Sequence, residues 1–343
     1  MYRLFLSKSK NNIIAILFIS FFVYLSFELS FLVSGLINIS NSSLIISPVL
    51  LVIVMGFLSG NFIKYELNSK ITNCCEKHIL QFAIVLLGAK LNFSFFSEIT
   101  FFEFIIVLSA VLFALFITVK IAKYFKLKNK ELVILIAFGN AICGSSAIII
   151  LAKLIKAKKH NISLAIAAIT ICGTIAMFFY PVLGKVLLLS DNQFAIVAGS
   201  TVQSVPQSIA TGMIFSNESG DRATIIKLIR VLLLSPILVV FLFYNNKQKF
   251  GNNKIINIIT SIPTFILFFL CMSLLSTLDI FSDNVINTIS DLSRILIVFA
   301  MFAVGYNTKF KDLCVSSKEA ILLSISSSVT LVTFILLLVF FIL

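Results

Sequence analysis

Between Leu132 and Ile155 the chain is apolar except for Lys153 near its end and one polar, glycine-bracketed stretch, Gly139-Asn140-Ala141-Ile142-Cys143-Gly144-Ser145-Ser146. In hydrocarbon an unpartnered backbone N–H or C=O is strongly unfavourable, so a helix opens there only where it lines a cavity or packs against protein. A helix that stops near Gly139 and restarts near Ser145 aims the free N–H groups of its second half, and their positive dipole end, at the bilayer midplane. That arrangement suits an anion or a carbonyl-rich substrate. The same small residues would also serve close helix packing, with the serine hydroxyls bonded to the preceding turn.

A second interruption, Gly199-Ser200-Thr201-Val202-Gln203-Ser204-Val205-Pro206-Gln207-Ser208, lies in another apolar segment. Pro206 removes a backbone donor, and Gln203 and Gln207, four apart, are expected on one helical face. Two broken helices flanking an intact one point to a substrate site near the midplane; the other reading is a proline-kinked helix glued to its neighbours by amides and hydroxyls. On the site reading Asn140, Ser145 and Ser146, with Cys143 and Gly144 in the same break, face the substrate. Thr201, Gln203, Ser204 and Gln207 form the opposite wall, or hold Na⁺ near Gln203 and Gln207 through oxygens that suit a hard cation. Lys227 and Arg230, three apart, share a helical face. Lys227 reads as an interfacial anchor and Arg230, deeper, as the positive charge that compensates an anion.

The elements that must position these residues are membrane helices. Hydrophobic residues make up 59% of the chain and charged ones 12%, which gives an all-α polytopic membrane protein with no room for a soluble domain. Hydropathy yields eleven spans, at 12–34, 44–63, 77–93, 101–123, 131–156, 161–187, 192–214, 223–244, 255–278, 285–306 and 319–342, read as one transporter domain over 1–343. Lysine distribution puts the N-terminus in the cytoplasm and the C-terminus outside. One run, Lys153 to Lys159, breaks the rule: after a fifth span it falls outside. The net charge of +13 belongs to topology-setting loops rather than to nucleic-acid binding. The six cysteines show neither a disulfide framework nor a zinc spacing. No cofactor is implied, and no acid–base or nucleophilic set sits at membrane depth, which argues against an enzyme. Gly88 to Phe93 and Gly305 to Phe310 share a spacing at two span ends, a hint of inverted repeats.

The ordered motifs Ala141-Ile142-Cys143-Gly144-Ser145-Ser146-Ala147, Lys156-Ala157, Gly173-Thr174-Ile175-Ala176, Tyr180-Pro181, Gly199-Ser200-Thr201-Val202, Ala210-Thr211-Gly212 and Lys227-Leu228-Ile229-Arg230-Val231 before Pro236 resemble the YeiH-like sulfate exporter family. That family is grouped with the bile acid, arsenite and riboflavin transporters. The resemblance implies a multi-span transporter of the bacterial inner membrane with two broken, crossing helices. It implies alternating-access movement of a small anion such as sulfate, a sulfonate or an organic anion. A passive anion channel and a Na⁺-coupled organic acid symporter are the alternatives, with Na⁺ or H⁺ as candidate coupling ions and a homodimer as a candidate assembly. Many members look to have His-Glu where this chain has Gln203-Ser204, so no titratable pair stands here to carry a proton.

Overall fold

The computed structural model describes residues 2–38, 47–63, 67–90, 101–244, 264–278, 280–308 and 317–342, and the described residues are helical with short connections. The chain divides into two compact units, 1–96 with 267–311 and 97–266 with 312–343.

The first unit contains α1 (Tyr2–Asn38), α2 (Pro48–Phe62), α3 (Ser69–Cys74), α4 (Leu80–Lys90), most of α13 (Thr264–Thr277) and α14 (Asp283–Asn307). A single π-helical turn, Cys75–Ile79, joins α3 to α4. Helices α2 and α14 approach so closely that a Cβ at Gly56 or Gly60 would strike the backbone of Phe302 or Tyr306, and one at Gly305 the backbone of Ile53. Without a hydrophobic force between helices in lipid, such small-residue contact is what holds a pair together. Tyr306 adds a hydroxyl bond, accepting from Leu67 N at 2.9 Å. Gly88 and Gly305 of the suspected repeat are packing positions of this kind; Phe93 and Phe310, which close it, lie outside the described residues.

The second unit contains α5 (Phe101–Tyr124), α6 (Lys130–Ala141), α7 (Ser145–Ile155), α8 (Lys159–Val186), α9 (Asp191–Thr201), α10 (Val205–Phe215), α11 (Asn217–Leu232), α12 (Leu234–Tyr244) and α15 (Lys318–Ile342). Here the reading of eleven spans needs correction. Segments 131–156 and 192–214 do not run through; each is a helical hairpin. Glu131 at the start of α6 accepts from Lys158 N at 2.6 Å and from Asn161 Nδ2 at 2.9 Å, beyond the end of α7. In a straight helix those residues would lie about 40 Å apart. Likewise the Ser216 hydroxyl after α10 donates to the Asp191 carboxylate at the start of α9, and Phe194 stacks on Phe215 with ring centroids 4.1 Å apart. Arms of eleven or twelve residues reach about 17 Å, roughly half the hydrocarbon thickness. Hydropathy missed the reversals because a window average has no direction.

Among the described residues five helices are long and apolar enough to cross a membrane: α1, α5, α8, α14 and α15. The 28-residue α8 organises the second unit. The first hairpin starts beside its N-terminal end, through Glu131. The second starts beside its C-terminal end, where Gly184 leaves space for Phe194 and Phe215. The two hairpins therefore point at each other along α8, and their tips meet near its middle.

Candidate functional site

Each tip is built from local rules. Helix α6 ends at Ala141, Ile142 takes φ −125° and ψ −88°, and Gly144 reverses the chain at φ +70° and ψ −128°. That conformation favours glycine, since a Cβ would be strained there. Helix α7 then begins at Ser145 with no side chain capping its first N–H groups. In the second hairpin α9 starts with a capping box, Ser190 with Gln193, and ends at Thr201. Ser204 caps α10, its hydroxyl oxygen accepting from Gln207 N at 3.4 Å. Pro206 falls in the first turn of α10, where its missing N–H would have had no helical partner. The expectation of a proline kink is replaced by a proline that starts a helix.

The tips touch: a Cβ at Gly144 would lie 3.5 Å from Ser204 Cβ and 3.6 Å from the Gln203 carbonyl carbon. Two polar sets result. One is buried. Asn140 Nδ2 donates to Ser327 Oγ at 2.5 Å, Gln203 Nε2 donates to Ser328 Oγ at 2.7 Å, and Cys172 Sγ donates to Ser328 Oγ at 3.1 Å. Gln203 Oε1 is buried there without a partner among the described residues. The other set is open. Ser146 and Thr170 are exposed, and Ser145, Ser204 and Thr174 are half-buried. Gln207 lies under them, its Nε2 donating to Thr170 O and Thr174 Oγ1, both at 3.2 Å. A Cβ at Gly173 would collide with the Gln207 amide, so the glycine makes its seat.

The residues singled out from sequence thus fall into different places. Ser145, Ser146, Gly144, Ser204 and Gln207 gather on the open side of the tips, with Asn140 and Gln203 on the buried side. Gln203 lies in the turn before α10, so it does not share a helical face with Gln207. Thr201 is fully buried, with its hydroxyl donated to Val197 O at 2.6 Å. Cys143 is buried too.

Helix α11 brings two cations, Lys227 and Arg230, to the tips. Lys227 is fully buried and is no interfacial anchor. Its Nζ donates to three backbone carbonyls, Ile142 at 2.9 Å, Val202 at 2.6 Å and Gln203 at 2.7 Å. Arg230, also fully buried, donates from Nε to Ala141 O at 2.6 Å, from Nη1 to Val202 O at 3.0 Å, and from Nη2 to Asn140 O. Both cations therefore sit on the carbonyl ends of the two inbound helices, α6 and α9, whose dipoles are negative there. Sequence placed Lys227 near an interface because the span was started at residue 223. Helix α11 begins at Asn217, capped by Ser216, which sinks Lys227 about 9 Å deeper. No Asp or Glu occurs between Glu131 and Asp191 or between Asp221 and Asp279. Carboxylates of the second unit's described helices stand near helix ends, as Glu103 does in its 3.0 Å ion pair with Arg222.

Residues 12–324 match a family model described as "Conserved hypothetical protein 698". Among relatives, a UPF0324 membrane protein of Streptococcus agalactiae serotype V is 34% identical over 280 residues, 79% of this chain and 83% of that protein. A UPF0324 membrane protein of Clostridium tetani is 32% identical over 298 residues, covering 83% and 86%. No solved structure matches. These relatives and the long apolar helices make the chain a multi-pass membrane protein.

Proposed function

The chain belongs to the family described as conserved hypothetical protein 698, and we propose that it is a secondary transporter that moves a small anion across the bacterial inner membrane by alternating access. Sulfate, a sulfonate or a related organic anion fits the chemistry, as the likeness to YeiH-like sulfate exporters suggests. The observation that carries this reading is the meeting of two opposed hairpin tips at mid-depth. There α7 and α10 begin, and a helix start presents N–H groups and positive potential. Ser145 and Ser146 add hydroxyl donors on the open side, beside Ser204, whose own hydroxyl donates to Gln207 Oε1 at 2.7 Å, and Lys227 and Arg230 make the surroundings electropositive. Opposed hairpins also stand where an inverted repeat would put them.

The hairpins support a sidedness as well. With the first one returning to the face it left, Lys153, Lys156, Lys158 and Lys159 join Lys120, Lys123, Lys126, Lys128 and Lys130 on one side of the second unit. By the positive-inside rule that side is cytoplasmic, and the anomalous lysine run disappears. The first hairpin would then be re-entrant from the cytoplasm and the second from outside.

Uptake of radiolabelled sulfate into proteoliposomes tests the reading, with Gln207→Ala as control. Saturable, concentrative flux that falls at least about tenfold in the variant is expected. Non-saturating flux would favour a passive anion pore. Unchanged flux in Gln207→Ala would remove this site.

A further inference from the structure

Helices broken at mid-membrane have two kinds of ends, and transporters built on them use both. The starting ends face anionic groups of the substrate, while carbonyls at the finishing ends and in the unwound turns coordinate a coupling cation. In this chain the finishing ends of α6 and α9 and their turns supply the carbonyls of Asn140, Ala141, Ile142, Val202 and Gln203. All five accept from Lys227 or Arg230. We infer that Lys227 and Arg230 stand in the place of a coupling cation, covalently built into the chain, so that the anion moves without Na⁺ at the crossing and each cycle transfers the anion's own charge. This inference rests on the transporter reading above and decides between its coupled alternatives.

Several observations support it. An ammonium group with three carbonyl oxygens at 2.6–2.9 Å uses all its donors, and a neutral amine, with two N–H bonds, could not satisfy them. The geometry fits the charged form of Lys227, held as a fixed cation rather than as a proton carrier. A mobile Na⁺ at the finishing ends would compete for these same oxygens, which suit hard cations, and one near Gln203 would meet two fixed positive charges beside it. Residues 132–190 and 222–278 hold no Asp or Glu, and the buried carboxylate of α11, Asp221, lies six residues or about 9 Å along the helix from Lys227, away from the carbonyls a third cation would use. The inside-negative membrane potential is then the driving force and acts outward on an anion. At 100 mV it supports about a fifty-fold concentration ratio per elementary charge.

Two measurements test this. The first follows thermal unfolding of purified protein in Na⁺, K⁺ and choline salts of one anion at equal ionic strength, for the wild type and Lys227→Ala. The wild type should unfold at the same temperature in all three, whereas the variant should be stabilised saturably by Na⁺ or K⁺ entering the vacated carbonyl cage. Saturable Na⁺ stabilisation of the wild type overturns the inference, as does a folded Lys227→Ala that no small cation stabilises. Should that variant not fold, the wild type decides alone. The second measures sulfate flux in proteoliposomes with Na⁺ replaced by choline and a K⁺ diffusion potential imposed. Flux indifferent to Na⁺ and to a pH gradient, but reversed in direction by reversing the potential, is expected; flux that requires Na⁺ or follows the proton gradient overturns it. Absence of sulfate flux under every condition would remove sulfate from the proposed function, while the stability comparison would still decide the cation question.

Discussion

The two hairpins of the second unit have the same plan and unequal tips. Both consist of two short arms joined by three residues, 142–144 in the first and 202–204 in the second. In the first, Gly144 turns the chain at positive φ and α7 starts uncapped, beside half-buried Ser145 and exposed Ser146. In the second, Ser204 caps α10, Pro206 occupies its first turn, and the Gln207 side chain ties it to α8. The first tip offers unspent donors; the second has spent its own on holding still. Under the proposed function this difference would put the anion chiefly at the start of α7, with the second hairpin as the fixed wall. Common to both is their clamp: one helix, α11, ends both inbound arms with two buried cations.

The strongest way to break the comparison is to remove what the hairpins share. Lys227→Met would strip this donor from the buried carbonyls of Ile142 and Gln203, at about 1–3 kcal/mol each, and leave Val202 O to Arg230 alone. A loss of several kcal/mol in unfolding, with both tips disordered, is expected in thermal denaturation of the purified protein. Next is the turn special to the first tip: Gly144→Ala should lower stability by about 1–3 kcal/mol and abolish flux, whereas Ser204→Ala, which removes a helix cap, should lower stability by about 1 kcal/mol. Gly173→Ala, by driving the Gln207 amide from its seat, should reproduce the flux loss of Gln207→Ala; flux intact in Gly173→Ala would show that the seat is irrelevant. The smallest effect sharpens the asymmetry. Ser146→Ala should weaken anion affinity about five- to tenfold, one neutral donor's worth, with stability unchanged, while Ser204→Ala should do the reverse; titration calorimetry with sulfate and a melting curve separate the two.

How much of this could be read from the sequence follows from what each signal measures. The interruptions at Gly139 to Ser146 and Gly199 to Ser208 were legible because small and polar residues are conspicuous in apolar segments. Arg230 was legible as a charge deep in a span. The hairpins were not, since two half-length arms and one full span have the same mean hydropathy. Their trace was present in Lys153 to Lys159, a basic run on the wrong side for as long as α6 and α7 were taken as one helix. Lys227 was missed for a different reason. Its helix starts with the polar residues Asn217 to Arg222, which hydropathy assigns to a loop, so its depth was underestimated by the length of that start. The division of polar side chains into an open and a buried set depends on contacts between distant segments, such as Asn140 with Ser327 and Gln203 with Ser328, which no local spacing announces.

The central claim is that the hairpins enter from opposite faces of the membrane, and side-specific labelling tests it most directly. With the native cysteines replaced, single cysteines at Lys128, Ala157, Ser190 and Glu218 would be exposed in intact cells and in inverted vesicles to an impermeant maleimide. The account expects Lys128→Cys and Ala157→Cys to react only from the cytoplasmic face, and Ser190→Cys and Glu218→Cys only from outside. Reaction of positions 128 and 157 from opposite faces would restore a through-going helix and contradict the account.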